Sequence, residues 1–444
     1  MARRAFLIGL ALLGWLVATS PASAQLGLIR DAEIERTVRD LAAPLFSAAG
    51  IPPSSVSIYL VNDDRLNAFV AGGQNLFLNA GLLMRAETPE QLAGVIAHET
   101  GHIAGGHLVR LSPAADRAEA VRVLGMVLGA AAAAAGAPEV GMAAMLGGQQ
   151  VGQQSFLRFS RGQEQAADQA ALNYLEATGT SARGLAEFFR ILDDQRMLSG
   201  SRVDPYFQTH PLTRDRIEFV ERQVAGERER RPLDPATVER HERMVAKLAG
   251  FMESPASVSR RYEGRDDFAA RYARAIAAFR SNDAPGALRQ LAALQAEEPD
   301  NPFLHELQGQ ILFERGRVAD AVAPYRRAVD LAPREPLIRL GYGRALLETG
   351  EEAAAADALA TVVQAEPSNS FAWRQLGIAR GRLGEVGTSN LALAEAAVLR
   401  GEFADARLFL ARADEALAEG SRERRQLNDL RVALETAERE AQRR

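Results

Sequence analysis

His98-Glu99-Thr100-Gly101-His102 constrains this chain more than any other feature. The spacing is H-E-x-x-H. Two histidines at i and i+4 stand about one turn apart on one helical face, so both imidazoles can reach one ion at roughly 2.0–2.1 Å. Glu99 follows the first histidine and turns its carboxylate toward the open side of that ion. There it can accept a proton from an attacking water. The chain has six histidines in 444 residues; such a motif then arises by chance in about one of a few hundred chains, so the spacing carries information. The lead-in supports a helix, with Pro89 suited to its first position and Leu92, Val95 and Ile96 at helical spacing.

Zinc needs a third protein ligand. The pattern H-E-x-x-H-x-x-G-x-x-H would place histidine at 108, but Leu108 stands there and the histidine is His107. On a continuing helix His107 lies about 140° around from His102, so it reads as an ordinary helix-end residue. The better candidate is Glu164, in Arg161-Gly162-Gln163-Glu164-Gln165-Ala166-Ala167-Asp168. Glu164 and Asp168 are i and i+4, on one face of a second helix. A metal-bound histidine usually donates its outer ring N–H to a carboxylate. Glu164 is therefore predicted to ligate zinc and Asp168 to hold a ligand histidine. Ala166, Ala167, Ala170 and Ala171 predict close helix packing beside them.

H-E-x-x-H followed some sixty residues later by R-x-x-E-x-x-A-D resembles the M48 family of gluzincin metalloproteases. The resemblance covers roughly residues 30–225. It implies that His98, His102 and Glu164 hold one Zn2+ per chain, that Glu99 is the general base, and that Asp168 is the acid behind a ligand. The family usually has a further acid where this chain has Ala166, which leaves the ligand set intact. The implied fold is an α+β zincin-like (gluzincin) domain with a small β-sheet. The implied reaction is peptide hydrolysis, with Glu99 moving the proton and no covalent acyl-enzyme.

The segment before the motif fits such a domain. Ile34, Val38, Leu41 and Leu45 form a helical stripe, and Ser55–Val61 alternates as a strand. Asn67–Ala71 and Asn75–Asn79 flank Gly72-Gly73 as a hairpin. In gluzincins an edge strand pairs with extended substrate, which predicts Gln74–Asn79 beside the cleft. Thr209-His210-Pro211, followed by Thr213 and Arg216-Ile217, is also typical of the family. His210 has two possible roles here. It can donate to the transition-state oxyanion, or it can fill the open zinc position as an inhibitory latch. The proline-bracketed loop favours the latch.

Residues 121–148 are rich in Ala, Gly and Met, with no charge from Val123 to Ala137. Neither arm reaches the ~20 residues of a spanning helix. The segment reads as a buried hairpin, with a lid or a peripheral membrane contact as the functional alternatives.

The N-terminus predicts the compartment. Arg3-Arg4, an apolar stretch from Phe6 to Val17, and Ala22-Ser23-Ala24 after Pro21 form a signal peptide over residues 1–24. The twin arginine resembles one export motif, while the strongly apolar core favours the general secretory route. The chain contains no cysteine, hence no disulfide and no lipidated cysteine. The net charge of −5 gives no footprint for nucleic acid.

A charged helical connector is predicted over 226–265, after the protease-like domain at 25–225. A repeat follows over 266–444. Pro299, Pro333 and Pro367 recur every 34 residues, as do Gly316, Gly350 and Gly384. Ala321, Tyr325 and Ala328 ahead of Pro333, with Trp373, Leu376 and Gly377, complete a tetratricopeptide signature. The register slips after Gly384, where Leu391–Arg400 reads as an intervening helix. Such an all-α superhelix presents a concave face to peptides or partner proteins. His241 and His305 read as structural or exposed.

An exported M48-like domain joined to such repeats resembles periplasmic proteases of that family, and the resemblance implies quality control of misfolded or stalled outer-membrane proteins. The repeats would dock client or assembly machinery. The alternative is a chaperone or assembly scaffold whose protease site is mostly latched off.

Overall fold

The computed structural model describes residues 27–107, 161–198, 206, 210–227 and 233–442. The expected signal peptide at 1–24 and the apolar segment at 121–148 lie outside the described residues. Among the described residues no helix is long and apolar enough to cross a membrane.

The first domain starts with β1 (Leu28–Ile29) and α1 (Ala32–Ala48). Asp31 caps α1 by accepting the Ile34 N–H. The predicted stripe is the buried one: Ile34, Val38 and Leu45 enter the core, with Leu41 packed at its margin. β2 (Ser57–Val61), β3 (Ala68–Ala71) and β4 (Asn75–Asn79) complete a four-stranded sheet of order β1-β2-β4-β3. β3 and β4 form the predicted antiparallel hairpin, and β2 runs parallel to β4. Tyr59, Phe77 and Phe69 stack across the three strands at 4.9 and 4.8 Å.

One expectation needs correction. Gln74–Asn79 does not form an edge, because β4 is hydrogen-bonded by β2 on one side and β3 on the other. A strand paired on both sides has no backbone groups left for substrate. Among the described residues the edge beside the motif helix is β3, which contacts that helix.

α2 (Ala80–Arg85) leads into the motif helix, α3 (Pro89–Ala104). Thr88 caps α3 on the Gln91 N–H, and Pro89 takes the first turn as predicted. A helix spanning 161–178, α4, packs against α3. The approach is close because Gly101 has no side chain: a Cβ there would stand 2.9 Å from the Ala167 carbonyl oxygen. Ala167 and Ala171 are buried as expected, whereas Ala166 is exposed and Ala170 half-buried. α5 (Arg183–Leu198), α6 (Arg214–Ala225) and α7 (Pro235–Met252) close the domain.

α7 occupies the predicted connector, yet it is a structural element of both halves. Its Met244 and Leu248 join the first core, while Ala246 and Ala249 pack on the next helices. α8 (Pro255–Arg261) follows. Helical hairpins then stack in order: α9 (Phe268–Arg280) with α10 (Ala284–Glu297), α11 (Pro302–Glu314) with α12 (Val318–Leu331), and α13 (Pro336–Glu348) with α14 (Glu352–Ala365). α15 (Ser370–Arg382) pairs with α16 (Val386–Arg400), and α17 (Phe403–Ala416) with α18 (Arg422–Gln442). The hairpin turns use left-handed backbone at Gly316, Gly350 and Gly384, and at Asn282 in the first pair. The intervening helix expected over Leu391–Arg400 is α16, which starts earlier, at Val386. The glycine spacing shortens because one helix, α16, separates Gly384 from Gly401, where two helices separate Gly350 from Gly384.

The two halves meet around a buried ammonium. Lys247 Nζ lies 2.8 Å from Asp31 Oδ2, 3.3 Å from Glu33 Oε2 and 3.6 Å from Glu306 Oε2. Tyr272 donates its hydroxyl to Glu33 at 2.8 Å. Burial, with Asp31 and Glu33 nearby, pushes Glu306 up to about 7 against the pull of Lys247. Arg30–Glu366 and Arg36–Glu335 pairs flank the junction at 2.7 and 3.1 Å. Beside it is a cavity of about 1030 Å³, lined by Ile29 and Ile34 from the first domain and by Phe313, Leu340 and Arg344 from the repeats.

Candidate metal centre

α3 and α4 bring the motif residues together. His98 and His102 lie one turn apart on α3, with their Nε2 atoms 3.1 Å from each other. Glu164, on α4, places Oε2 3.4 Å from His98 Nε2 and Oε1 3.4 Å from His102 Nε2. His210, from the loop before α6, places Nδ1 3.4 Å from His98 Nε2 and 3.3 Å from Glu164 Oε2. All four residues are held within 4.8 Å of one another at their ligand atoms.

These distances match a tetrahedral ion. With bonds of 2.0–2.1 Å, tetrahedral ligand atoms stand about 3.3–3.4 Å apart. The donor set of three imidazoles and one carboxylate suits a borderline-soft divalent metal. His98, Glu99 and Glu164 are buried, and among the described residues neither Glu99 oxygen accepts a hydrogen bond, the imidazole of His210 standing 3.4 Å from Oε1. A buried carboxylate in that condition is costly unless a ligand or water engages it. The residues present therefore fit a metal.

The surrounding contacts orient these side chains. His98 Nδ1 lies 2.9 Å from Asp168 Oδ1, so Nδ1 carries a proton toward that carboxylate and Nε2 is the nitrogen that faces the cluster. Burial alone would depress His98, but Asp168 and Glu164 outweigh it and raise it to about 9. Burial and the charge of His98 push His102 well down. Burial works against ionisation of Glu164, yet His210 and His98 hold it well below the carboxylate range. Glu99 Oε1 lies 3.4 Å from His210 Nε2, so this imidazole spans from the cluster to Glu99.

The sequence did not assign roles to three residues here. Arg216 donates from Nε to Asp168 Oδ2 at 2.6 Å and from Nη2 to Oδ1 at 2.8 Å. Its Nη1 lies 2.9 Å from Glu164 Oε2 and donates to the Pro211 carbonyl at 3.0 Å. One signal was available. Arg216 is a cation in the first turn of α6, behind its Thr213 cap, where the helix dipole favours anions; such a residue needs carboxylate partners. Tyr206 is buried against His210, with ring centroids 4.9 Å apart, and its carbonyl accepts the His210 N–H at 2.7 Å. His107 stands behind His102, not at the ion position.

The remaining histidines are elsewhere. His241 is buried in α7, which pushes it down to about 4. His305 lies 2.9 Å from the Pro299 carbonyl through Nε2. Neither joins the cluster.

Comparison with known proteins agrees with this geometry. Residues 28–224 match the family model Peptidase family M48. This is an M48 peptidase domain. Tetratricopeptide repeat models match residues 272–336 and 307–370. The chain is homologous to the Beta-barrel assembly-enhancing protease of Escherichia coli (strain K12), with 27% identity over 402 residues, covering 89% of this chain and 81% of the relative. The Putative beta-barrel assembly-enhancing protease of Vibrio cholerae serotype O1 is 25% identical over 409 residues, covering 89% and 82%. Metalloprotease LoiP of Escherichia coli is 29% identical over 175 residues, covering 39% and 64%. The M48 domain makes this chain a metalloprotease, and its repeats are protein-interaction modules.

Proposed function

We propose that the chain is a zinc endopeptidase of the periplasm that removes misfolded or stalled outer-membrane proteins. The observation that carries the metal reading is the 3.1–3.4 Å spacing among His98, His102, Glu164 and His210. His98, His102 and Glu164 would hold one Zn2+, with Asp168 fixing His98. Bound there, zinc supplies Lewis-acid polarisation of the scissile carbonyl and acidifies water. Glu99 accepts the proton of the attacking water and returns it to the leaving amine. Its carboxylate, buried beside the cluster, supports that role.

His210 is read as a latch. Its Nδ1 occupies the fourth corner of the ligand set, and its Nε2 faces Glu99. A site closed this way has no place for water until the loop withdraws. The same observation supports a second reading, in which the chain works mainly as a chaperone or assembly scaffold with its protease site latched off.

Residues 1–24 would be the signal peptide, 25–225 the protease domain, 226–265 the connector and 266–444 the repeats. The names of the relatives support an outer-membrane client, and the repeats support docking of client or assembly machinery. Residues 121–148 remain a candidate peripheral membrane contact. The test is client trapping. Glu99→Gln, expressed in the native envelope and purified under mild conditions, should carry outer-membrane β-barrel proteins identifiable by mass spectrometry. Recovery of no envelope protein above the level of an unrelated control would reject the client assignment.

A further inference from the structure

We propose that His107 is the positioning residue for the ligand His102. This inference rests on the metal reading above and adds a residue to it. Ligand His98 has its outer nitrogen on Asp168. Ligand His102 has its outer nitrogen on another imidazole: His107 Nδ1 lies 3.0 Å from His102 Nδ1, with the rings edge-on at 80°.

The backbone is shaped for this contact. α3 ends at Ala104, and Gly106 takes a φ of +59°, turning the chain back under the helix. His107 is then buried. Its ring lies directly over Gly105, where a Cβ would stand 2.4 Å from His107 Nε2. Any other residue at 105 would drive the imidazole off its seat. The His107 carbonyl accepts from Gln163 Nε2 at 3.2 Å, and Gln163 immediately precedes Glu164. The turn after one pair of ligands is thus pinned to the helix that carries the third.

The chemistry assigns the protons. Two Nδ1 atoms at 3.0 Å share one hydrogen. If His102 is to offer Nε2 to the ion, the hydrogen belongs on His102 Nδ1, and His107 Nδ1 accepts it. His107 then carries its own proton on Nε2. It fixes the tautomer and ring angle of His102 without bringing a formal charge to the site.

The test uses the full mature chain, with zinc affinity read by competition against a chelator and melting of the metal-free protein read alongside. His107→Ala should weaken zinc binding roughly 10–100-fold. His107→Asn places an amide oxygen near the former Nδ1 and should recover most of that loss. Gly105→Ala, which displaces the ring without removing it, should resemble His107→Ala. Metal-free melting should be the same in His107→Ala and His107→Asn. Wild-type zinc affinity in both His107→Ala and Gly105→Ala, with His98→Ala devoid of zinc, would overturn the role while leaving the metal site standing. Wild-type zinc content in His98→Ala would instead overturn the site itself. His107→Asn as weak as His107→Ala, or an equal loss of metal-free stability in step with the affinity, would reduce His107 to packing and also overturn the proposal.

Discussion

Arg216 grips both oxygens of Asp168, at 2.6 and 2.8 Å, in a place where neither residue meets solvent. The pair is bidentate and charge-assisted, the strongest geometry available to a carboxylate. Burial would otherwise raise Asp168; Arg216 and His98 hold it low. The guanidinium also reaches Glu164 and the Pro211 carbonyl. One side chain therefore ties α4, the His210 loop and α6 into the cluster.

Replacing Arg216 with Met should strip the guanidinium from two buried carboxylates and leave only imidazoles to offset them. Breaking a buried pair from one side costs about 3–5 kcal/mol. Urea unfolding of the metal-free protein should show a loss of that order, and zinc affinity should fall with it. Arg216→Lys should recover only part, since an ammonium cannot bind both oxygens in the same fork. Unchanged unfolding in Arg216→Met would mean that the pair is dispensable.

Much of this site was legible in the sequence because its spacing is local. His98 and His102 share a helix, and so do Glu164 and Asp168; i and i+4 places each pair on one face without knowledge of the fold. The repeats were legible for a similar reason, since each hairpin repeats its own glycine and proline. The order of the sheet was not. Alternation predicts strands but not neighbours, and the parallel pairing of β2 with β4 converted an expected edge strand into an interior one. Nor was the position of His107 legible: the 140° argument assumes a continuing helix, whereas Gly105-Gly106 ends it. Lys247 looked like one charge in a charged connector, and only tertiary packing buries it among Asp31, Glu33 and Glu306.

The latch makes a directional prediction. His210→Ala should retain zinc, because His98, His102 and Glu164 remain, and should cleave casein faster than wild type. If His210 instead stabilises the oxyanion, the rate should fall by about 10²–10³-fold. A clear fall with zinc retained would refute the latch.

The junction should make stability depend on pH. Glu306 is raised in the folded chain to about 7 from an ordinary 4.5. Its contribution is full below the unfolded value and is lost as pH rises through the folded one. Wild type minus Glu306→Gln should therefore lose stability between pH 5 and 8, by on the order of 1–3 kcal/mol. Chemical unfolding of both proteins across that range gives the difference. A flat difference would show that Glu306 is not held protonated by the junction.

Lys247 should be the most sensitive position between the two halves. Lys247→Met removes the ammonium that faces Asp31, Glu33 and Glu306. It should destabilise the chain by about 3–5 kcal/mol and increase limited proteolysis between the protease domain and the repeats. Wild-type stability and an unchanged digestion pattern would contradict this.

The central claim is that zinc held by His98, His102 and Glu164 works with Glu99 to hydrolyse peptides. Zinc content and casein cleavage, measured together on Glu99→Gln, test it most directly. The amide keeps the shape of the side chain but cannot accept a proton. The account predicts one zinc per chain and a rate reduced by about 10²–10⁴-fold. Zinc retained with cleavage near the wild-type rate would contradict it.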